Sequence, residues 1–207
     1  MNNEILVNIT PQETRVAILE QGVSQELHIE RESGRGIVGN IYNGRVSRVL
    51  PGMQSAFIDI GLDRAAFLHV ADIWSPNQEG ETTQPIEKLL YEGNSILVQV
   101  IKDAIGTKGT RLSTQISLAG RLLVYLPQES HIGISQRIGD DSERELLREK
   151  LQQILPADEK GGYIIRTMAE TADESDLRAD LDYLHKLWHD IQKKSMAIAA
   201  PVLLYQD

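Results

Sequence analysis

The sequence predicts an α+β protein organised around a five-stranded β-barrel of OB type, with a β-meander before it and an α/β subdomain after it. Three observations predict this. Strand-like alternation runs to residue 118, and helical spacing begins only at residue 141. Five short strand runs fill the segment 36–117, with a polar loop between the third and the fourth. Aromatic and basic residues gather on those five runs.

The opening strands read EILVNIT (4–10), TRVAILEQG (14–22) and VSQELHIER (23–31), with Gln21-Gly22 as a tight turn. The polar run Glu32-Ser33-Gly34-Arg35-Gly36 closes the meander, and alternation resumes at Ile37, which puts a boundary near residue 36. In the central segment GRVSRVL (44–50) ends at Pro51-Gly52, SAFIDIG (55–61) stops at Gly61, and AAFLHV (65–70) follows. Ser75 to Pro85, SPNQEGETTQP, has no periodicity and is expected to be an exposed insertion. A short helical turn from Ile86 leads into SILVQVIKD (95–103). Its expected antiparallel partner, TRLSTQISL (110–118), is reached through the turn Gly106-Thr107-Lys108-Gly109.

Beyond Gly120, RLLVYLP (121–127) is a continuous apolar strand and ISQRI (134–138) a shorter one. Leu146, Leu147, Leu151 and Ile154 have helical spacing, and Ser142 with Glu145 fits a capping box for a helix over 141–155. YIIRTM (163–168) is a strand. A second helix is expected to Lys194, capped by Thr171 and Glu174, with Leu177, Leu181, Leu184, Trp188 and Ile191 on its apolar stripe. Its acidic residues Asp173, Glu174, Asp176, Asp180 and Asp182 read as a solvated face, and His185 with His189 lacks a third ligand for a metal. The tail PVLLYQD (201–207) is an apolar strand that reads as truncated.

Phe57 and Phe67 are the only phenylalanines of the chain. Side chains alternate between the two faces of a strand, so Ala56, Ile58 and Ile60 share one face and leave Phe57 beside Asp59. By the same rule Phe67 lies beside His69, opposite Ala66, Leu68 and Val70. Most phenylalanines are core residues, yet this alternation puts both rings on a polar face. OB barrels bind single-stranded nucleic acid by stacking bases on such rings while Lys and Arg track phosphates.

Charge and composition bound the alternatives. A net charge of −9 argues against a chain that is basic all over. Between residues 37 and 118, however, seven Lys/Arg stand against eight Asp/Glu. There Arg45, Arg48, Arg64, Lys102, Lys108 and Arg111 sit on or beside the strands, so an acidic chain can still carry a local basic face. No apolar run approaches the roughly 20 residues of a membrane-spanning helix. The N-terminus MNNEILVNITPQE has no secretion signal, so a cytoplasmic protein is expected. The absence of cysteine excludes disulfides and thiolate metal sites.

IVGNIYNGRVSRVLPGMQSAFIDIGLDRAAFLHVADI, with the later YEGNSILVQVIKDAIGTKGTRLSTQISL, resembles the S1-type RNA-binding OB barrel. With HIERESGRGIVGN, SLAGRLLVYLP, GISQRI and GYIIRT added, the chain resembles the N-terminal half of the ribonuclease E/G family, nearer its G branch, from end to end. The resemblance implies three parts: residues 1–35 as the first strands of a ribonuclease-H-like subdomain, 36–117 as the S1 domain, and 118–207 as a sensor of the RNA 5′-monophosphate. It assigns Phe57, Phe67 and Lys108 to single-stranded RNA. It assigns Arg166, Thr167, a backbone N–H near Val124, Gly120 and Arg137 to the 5′-phosphate. A guanidinium fork, a hydroxyl and an N–H are donors suited to a phosphate dianion.

The family's catalytic domain, with its metal-binding aspartates and a zinc link, would lie beyond residue 207. The resemblance therefore implies no catalytic residue and no cofactor in this chain, with Mg2+ and a structural Zn2+ belonging to the rest. The expected whole is an endoribonuclease that processes rRNA or mRNA by cutting single-stranded RNA with 5′-monophosphate preference, as a homo-oligomer. This part is expected to bind RNA without cutting it. Strands 1–31, separated from their subdomain, are expected to pair with another molecule through their open edges. The competing expectation is a non-catalytic S1-domain adaptor that is complete as it stands.

Overall fold

The computed structural model describes residues 3–31, 34, 36–75, 84–106 and 108–207. The expected insertion at 75–85 falls largely on residues outside that set, as do parts of the polar run at 32–36 and Thr107 of the 106–109 turn. The chain divides into two compact units, Met1–Ile37 and Val38–Asp207.

The first unit is the expected meander. Strands β1 (Asn3–Ile9), β2 (Glu13–Glu20) and β3 (Val23–Arg31) pair antiparallel in sequence order. Gln21 and Gly22 both have positive φ, 53° and 80°, which is the backbone of a two-residue hairpin whose twist matches its strands. β1 and β3 are the outer strands, and their residues are exposed along their whole length.

In the second unit β4 (Ile41–Leu50), β5 (Ser55–Asp59), β6 (Ala66–His69), β7 (Ser95–Lys102) and β8 (Arg111–Ser113) form the barrel, in the order β4-β5-β6-β8-β7. β7 also pairs with β4, which closes the ring. The pairing of β6 with β8 is parallel, so the barrel is mixed and not wholly antiparallel as expected. One inner row, Ala56, Leu68, Leu112 and Val100, is almost fully buried, and so is the row of Val46, Ile58 and Ala66. A single-turn helix, α1 (Ile86–Leu89), precedes β7.

The strand expected over 110–118 breaks after Ser113. The buried side chains of Gln99 and Ser113 and the half-buried one of Gln128 take backbone groups that a ladder would have used. Gln99 accepts from Ser117 N–H at 2.8 Å and donates to the Ser117 carbonyl at 2.9 Å. Ser113 accepts from Gln115 N–H at 2.9 Å, and Gln128 accepts from Ile116 N–H at 3.1 Å. The chain then enters a second sheet, β9 (Leu118–Ala119), β10 (Leu123–Leu126), β11 (Ile132–Ile134) and β12 (Gly162–Ile165), ordered β11-β12-β10-β9.

Helices α2 (Asp141–Ile154) and α3 (Glu174–Ala197) pack on one core with this sheet through Leu147, Leu151, Ile154, Leu177, Leu181, Leu184 and Ile191. Leu146 is exposed, because its position on α2 falls outside the stripe of Leu147, Leu151 and Ile154. Both helix starts differ from expectation. Asp140 caps α2, accepting from the N–H groups of Ser142 and Glu143 at 2.8 and 3.4 Å, and Ser142 does not. Asp173 caps α3, accepting from Asp176 N–H at 2.9 Å, in place of Thr171. In each case a carboxylate at the N-cap also meets the positive end of the helix dipole, which a hydroxyl does not exploit. Finally β13 (Val202–Tyr205) returns to the barrel and pairs antiparallel with β4. The sequence predicts that strand but not its partner.

Candidate nucleic-acid interface

On the barrel, Phe57 of β5 and Phe67 of β6 are direct cross-strand partners. Their rings meet edge to face, with centroids 6.2 Å apart and planes at 67°. Flanking residues Ala56, Ile58, Ala66 and Leu68 are 0% exposed, whereas Phe57 is 36% exposed and Phe67 half-buried. The alternation read from the sequence thus places both rings on the outer face. One ring turns an edge to the face of the other, and both keep exposed surface on that side of the barrel.

Lys108 is exposed and lies beside this pair through the backbone. Ile105 and Lys108 exchange two N–H···O bonds of 3.0 Å, which folds the loop back on itself. Arg64 donates to the Gly106 carbonyl at 3.3 Å, and Phe67 N–H donates to the Thr110 carbonyl at 2.7 Å. These bonds tie the loop to the chain entering Phe67. The Lys108 ammonium has no hydrogen bond or ion pair among the described residues. Next to Phe67 on β8, Arg111 is held by Asp72 in a two-point contact of 2.9 and 3.1 Å.

The second group of expected site residues gathers at the end of β12. Arg166 donates a side-chain N–H to the Gly120 carbonyl and its backbone N–H to the Leu122 carbonyl at 2.8 Å. Thr167 follows in a short 3-10 turn (Thr167–Ala169), and its hydroxyl is 3.1 Å from that of Ser135. Ser135 also accepts from the Arg137 N–H at 3.4 Å, while Arg144 donates to the Ser135 and Ile138 carbonyls at 2.9 and 3.0 Å. Arg166, Thr167 and Gly120 are therefore assembled, and Ser135 links the turn that carries Arg137 to them. Val124 lies inside β10, in register with Ile164 on one side and Ala119 on the other.

Asp180, read from the sequence as part of a solvated acidic face, is the anchor of this group. Its carboxylate accepts from the N–H groups of Arg121, Leu122 and Leu123 at 3.0, 2.9 and 2.9 Å. Three consecutive donors around one carboxylate form an anion-binding concavity filled from within the chain. The turn so fixed presents the Gly120 carbonyl to Arg166. Neither Asp180 nor Ser135 carries a local sequence signal for these roles, since both bonds join residues far apart in the chain.

Behind the sheet, Tyr163 is fully buried and its hydroxyl donates to Glu159 at 3.0 Å, with the His185 ring nitrogen 2.7 Å away. Burial foremost, then the Glu159 carboxylate, pushes the Tyr163 phenol above its ordinary range and Tyr125 up to about 12. His185 is engaged here and not with His189. Among the described residues, no three His, Asp or Glu side chains are gathered as a metal ion requires.

Comparison with known proteins agrees with this architecture. Residues 117–207 match the family model described as "Ribonuclease E/G family". The chain is 52% identical over 201 residues to "Ribonuclease G" of Escherichia coli (strain K12), covering 94% of this chain and 41% of that protein. It is 52% identical over 198 residues to "Ribonuclease G" of Haemophilus influenzae, covering 92% of this chain and 40% of that protein. To "Ribonuclease E" of Nostoc sp. it is 38% identical over 200 residues, covering 96% of this chain and 28% of that protein. The chain thus spans about 41% of the length of the ribonuclease G sequences it matches. With its closed OB barrel and this likeness along nearly its whole length, the chain is ribonuclease-G-like and belongs to the ribonuclease E/G family.

Proposed function

We propose that this chain is the RNA-recognition region of an endoribonuclease, binding single-stranded RNA on the barrel and the RNA 5′-monophosphate at the end of β12. The observation that carries this reading is the outward-facing pair Phe57–Phe67 with the Lys108 loop tied beside it. A base stacked on an aromatic ring contributes about 1–3 kcal/mol in a sequence-tolerant way, and an unpaired ammonium nearby suits a phosphate. Arg166 and Thr167 offer a guanidinium edge and a hydroxyl to a terminal phosphate dianion, with Gly120, Val124 and Arg137 completing the site that the resemblance assigns. In this reading a site that serves one terminal dianion favours a monophosphate over a triphosphate.

In this reading the whole protein is a cytoplasmic homo-oligomer that cuts single-stranded rRNA or mRNA. The Mg2+ that activates water, and a structural Zn2+, are held by its other domains. The 207-residue chain then binds RNA and does not cleave it. The open edges of β1 and β3 are the sites at which its first strands pair with another segment. The test is selectivity for strand state. The purified chain should bind an unstructured RNA well above a blunt RNA duplex of equal length, because only unpaired bases can splay onto the rings. Equal or tighter binding of the duplex would reject this function.

A further inference from the structure

The register of the barrel places five residues in one row across its strands: Arg48 on β4, Phe57 on β5, Phe67 on β6, Arg111 on β8 and Lys102 on β7. Cross-strand partners share a face, so all five point outward from the same band. The rows on either side, Val46-Ile58-Ala66 and Ala56-Leu68-Leu112-Val100, point inward and are buried.

Two β-bulges build this row. On β4, Val46 pairs with Ile58, so in a regular ladder Ser47 would oppose Phe57 and Arg48 would turn inward opposite Ala56. The register instead shifts between Val46 and Arg48, and Ser47 donates its hydroxyl to the Phe57 carbonyl at 3.0 Å. That extra residue returns Arg48 to the outer face beside Phe57. On β7 a second shift between Val100 and Lys102 puts Lys102, and not Ile101, opposite Arg111. A bulge re-aims the side chains that follow it. Both bulges here bring a cation into line with the aromatic pair.

The cations at either side of the rings are available in different ways. Arg48 is exposed and makes no hydrogen bond or ion pair among the described residues. Arg111 is held by Asp72 through Nε and Nη2, which leaves Nη1 facing elsewhere on a side chain that is 42% exposed. Its guanidinium is thus positioned in advance, with one edge left to accept a ligand.

We propose that this row is an RNA track that crosses the strands: Arg48 and the prepositioned Arg111 hold the phosphates on either side of the bases stacked on Phe57 and Phe67. Lys102 extends the same track beyond Arg111. The proposal rests on the reading that Phe57 and Phe67 bind single-stranded RNA, and deepens it by giving the strand a direction across the barrel. Strands lie about 4.8 Å apart, so Arg48 and Arg111 are each one strand from the nearest ring.

The test measures the affinity of the 207-residue chain for a short oligoadenylate bearing a 5′-hydroxyl, as a function of salt. For single strands the slope of log affinity against log salt is about −0.7 per phosphate neutralised. Arg48→Gln should make the slope shallower by about 0.7, and Arg48→Lys should restore it. The paired change Arg111→Gln with Asp72→Asn leaves net charge unaltered and should also remove about 0.7. Lys193→Gln, on exposed α3 surface, serves as the charge control and should change the slope little. If Phe57→Ala weakens binding but the Arg48 and Arg111 variants match the control, the track is wrong and the RNA-binding reading stands. If Phe57→Ala leaves binding intact, the underlying reading itself fails.

Discussion

Asp180 of α3 occupies the space in which Gly120 would carry a side chain: a Cβ built on Gly120 would lie 2.8 Å from the Asp180 carboxyl carbon. Gly120 needs to be glycine for this close approach, since its φ is not in the left-handed region. Gly120→Ala must therefore displace the carboxylate that satisfies three backbone N–H groups. Chemical denaturation should show a loss of about 2 kcal/mol, the scale of hydrogen bonds to a charged group. The combined variant Gly120→Ala, Asp180→Ala should lose clearly less than the sum of the single changes, because the clash disappears with the carboxylate. Additive losses would mean that the two residues are not coupled.

The helix caps predict how stability responds to acid. Hydrogen bonds from Ser142 hold the Asp140 carboxyl below its ordinary 3.8, and the Asp176 backbone N–H foremost does the same for Asp173. A carboxyl depressed in the folded state contributes stability above its unfolded pKa and loses it as pH falls through the folded value. Denaturation midpoints should therefore drop as pH goes below about 4. The double variant Asp140→Asn, Asp173→Asn keeps a capping acceptor and should show a flatter decline there. Parallel curves for variant and wild type would contradict the assignment.

Arg166 is expected to discriminate between RNA 5′ ends. A charge-assisted guanidinium–phosphate contact contributes about 1.5–3 kcal/mol, or roughly tenfold and more in affinity. Arg166→Ala should reduce the ratio of 5′-monophosphate to 5′-hydroxyl RNA affinity to near one, while binding of 5′-hydroxyl RNA is retained. Competition binding with the two RNAs measures it. An unchanged ratio would place end recognition elsewhere.

How far these sites could be read from sequence depends on the range of the interactions that make them. Phe57 and Phe67 were legible because period-two alternation is local and their neighbours Ala56, Ile58, Ala66 and Leu68 are unambiguous core residues. The parallel pairing of β6 with β8 was not, because nothing within either strand encodes direction. The break after Ser113 arises largely from Gln99 and Gln128, which reach the backbone of Ser117 and Ile116 from a distant position and across a turn. Asp180 misleads for the same reason. On its helix it is one acid among five, and only tertiary folding brings the 121–123 turn to it. The bulge at Ser47, which decides the face of Arg48, becomes visible only once the register with β5 is known.

Single-stranded RNA is expected to bind the barrel face that carries Phe57 and Phe67. Equilibrium binding of an unstructured RNA to Phe57→Ala and Phe67→Ala, with thermal melts run alongside, tests it most directly. Each change should weaken binding by about 1–3 kcal/mol, the worth of one stacked base, while the melting temperature falls by only a few degrees. Wild-type affinity in both variants, with the fold intact, would contradict it.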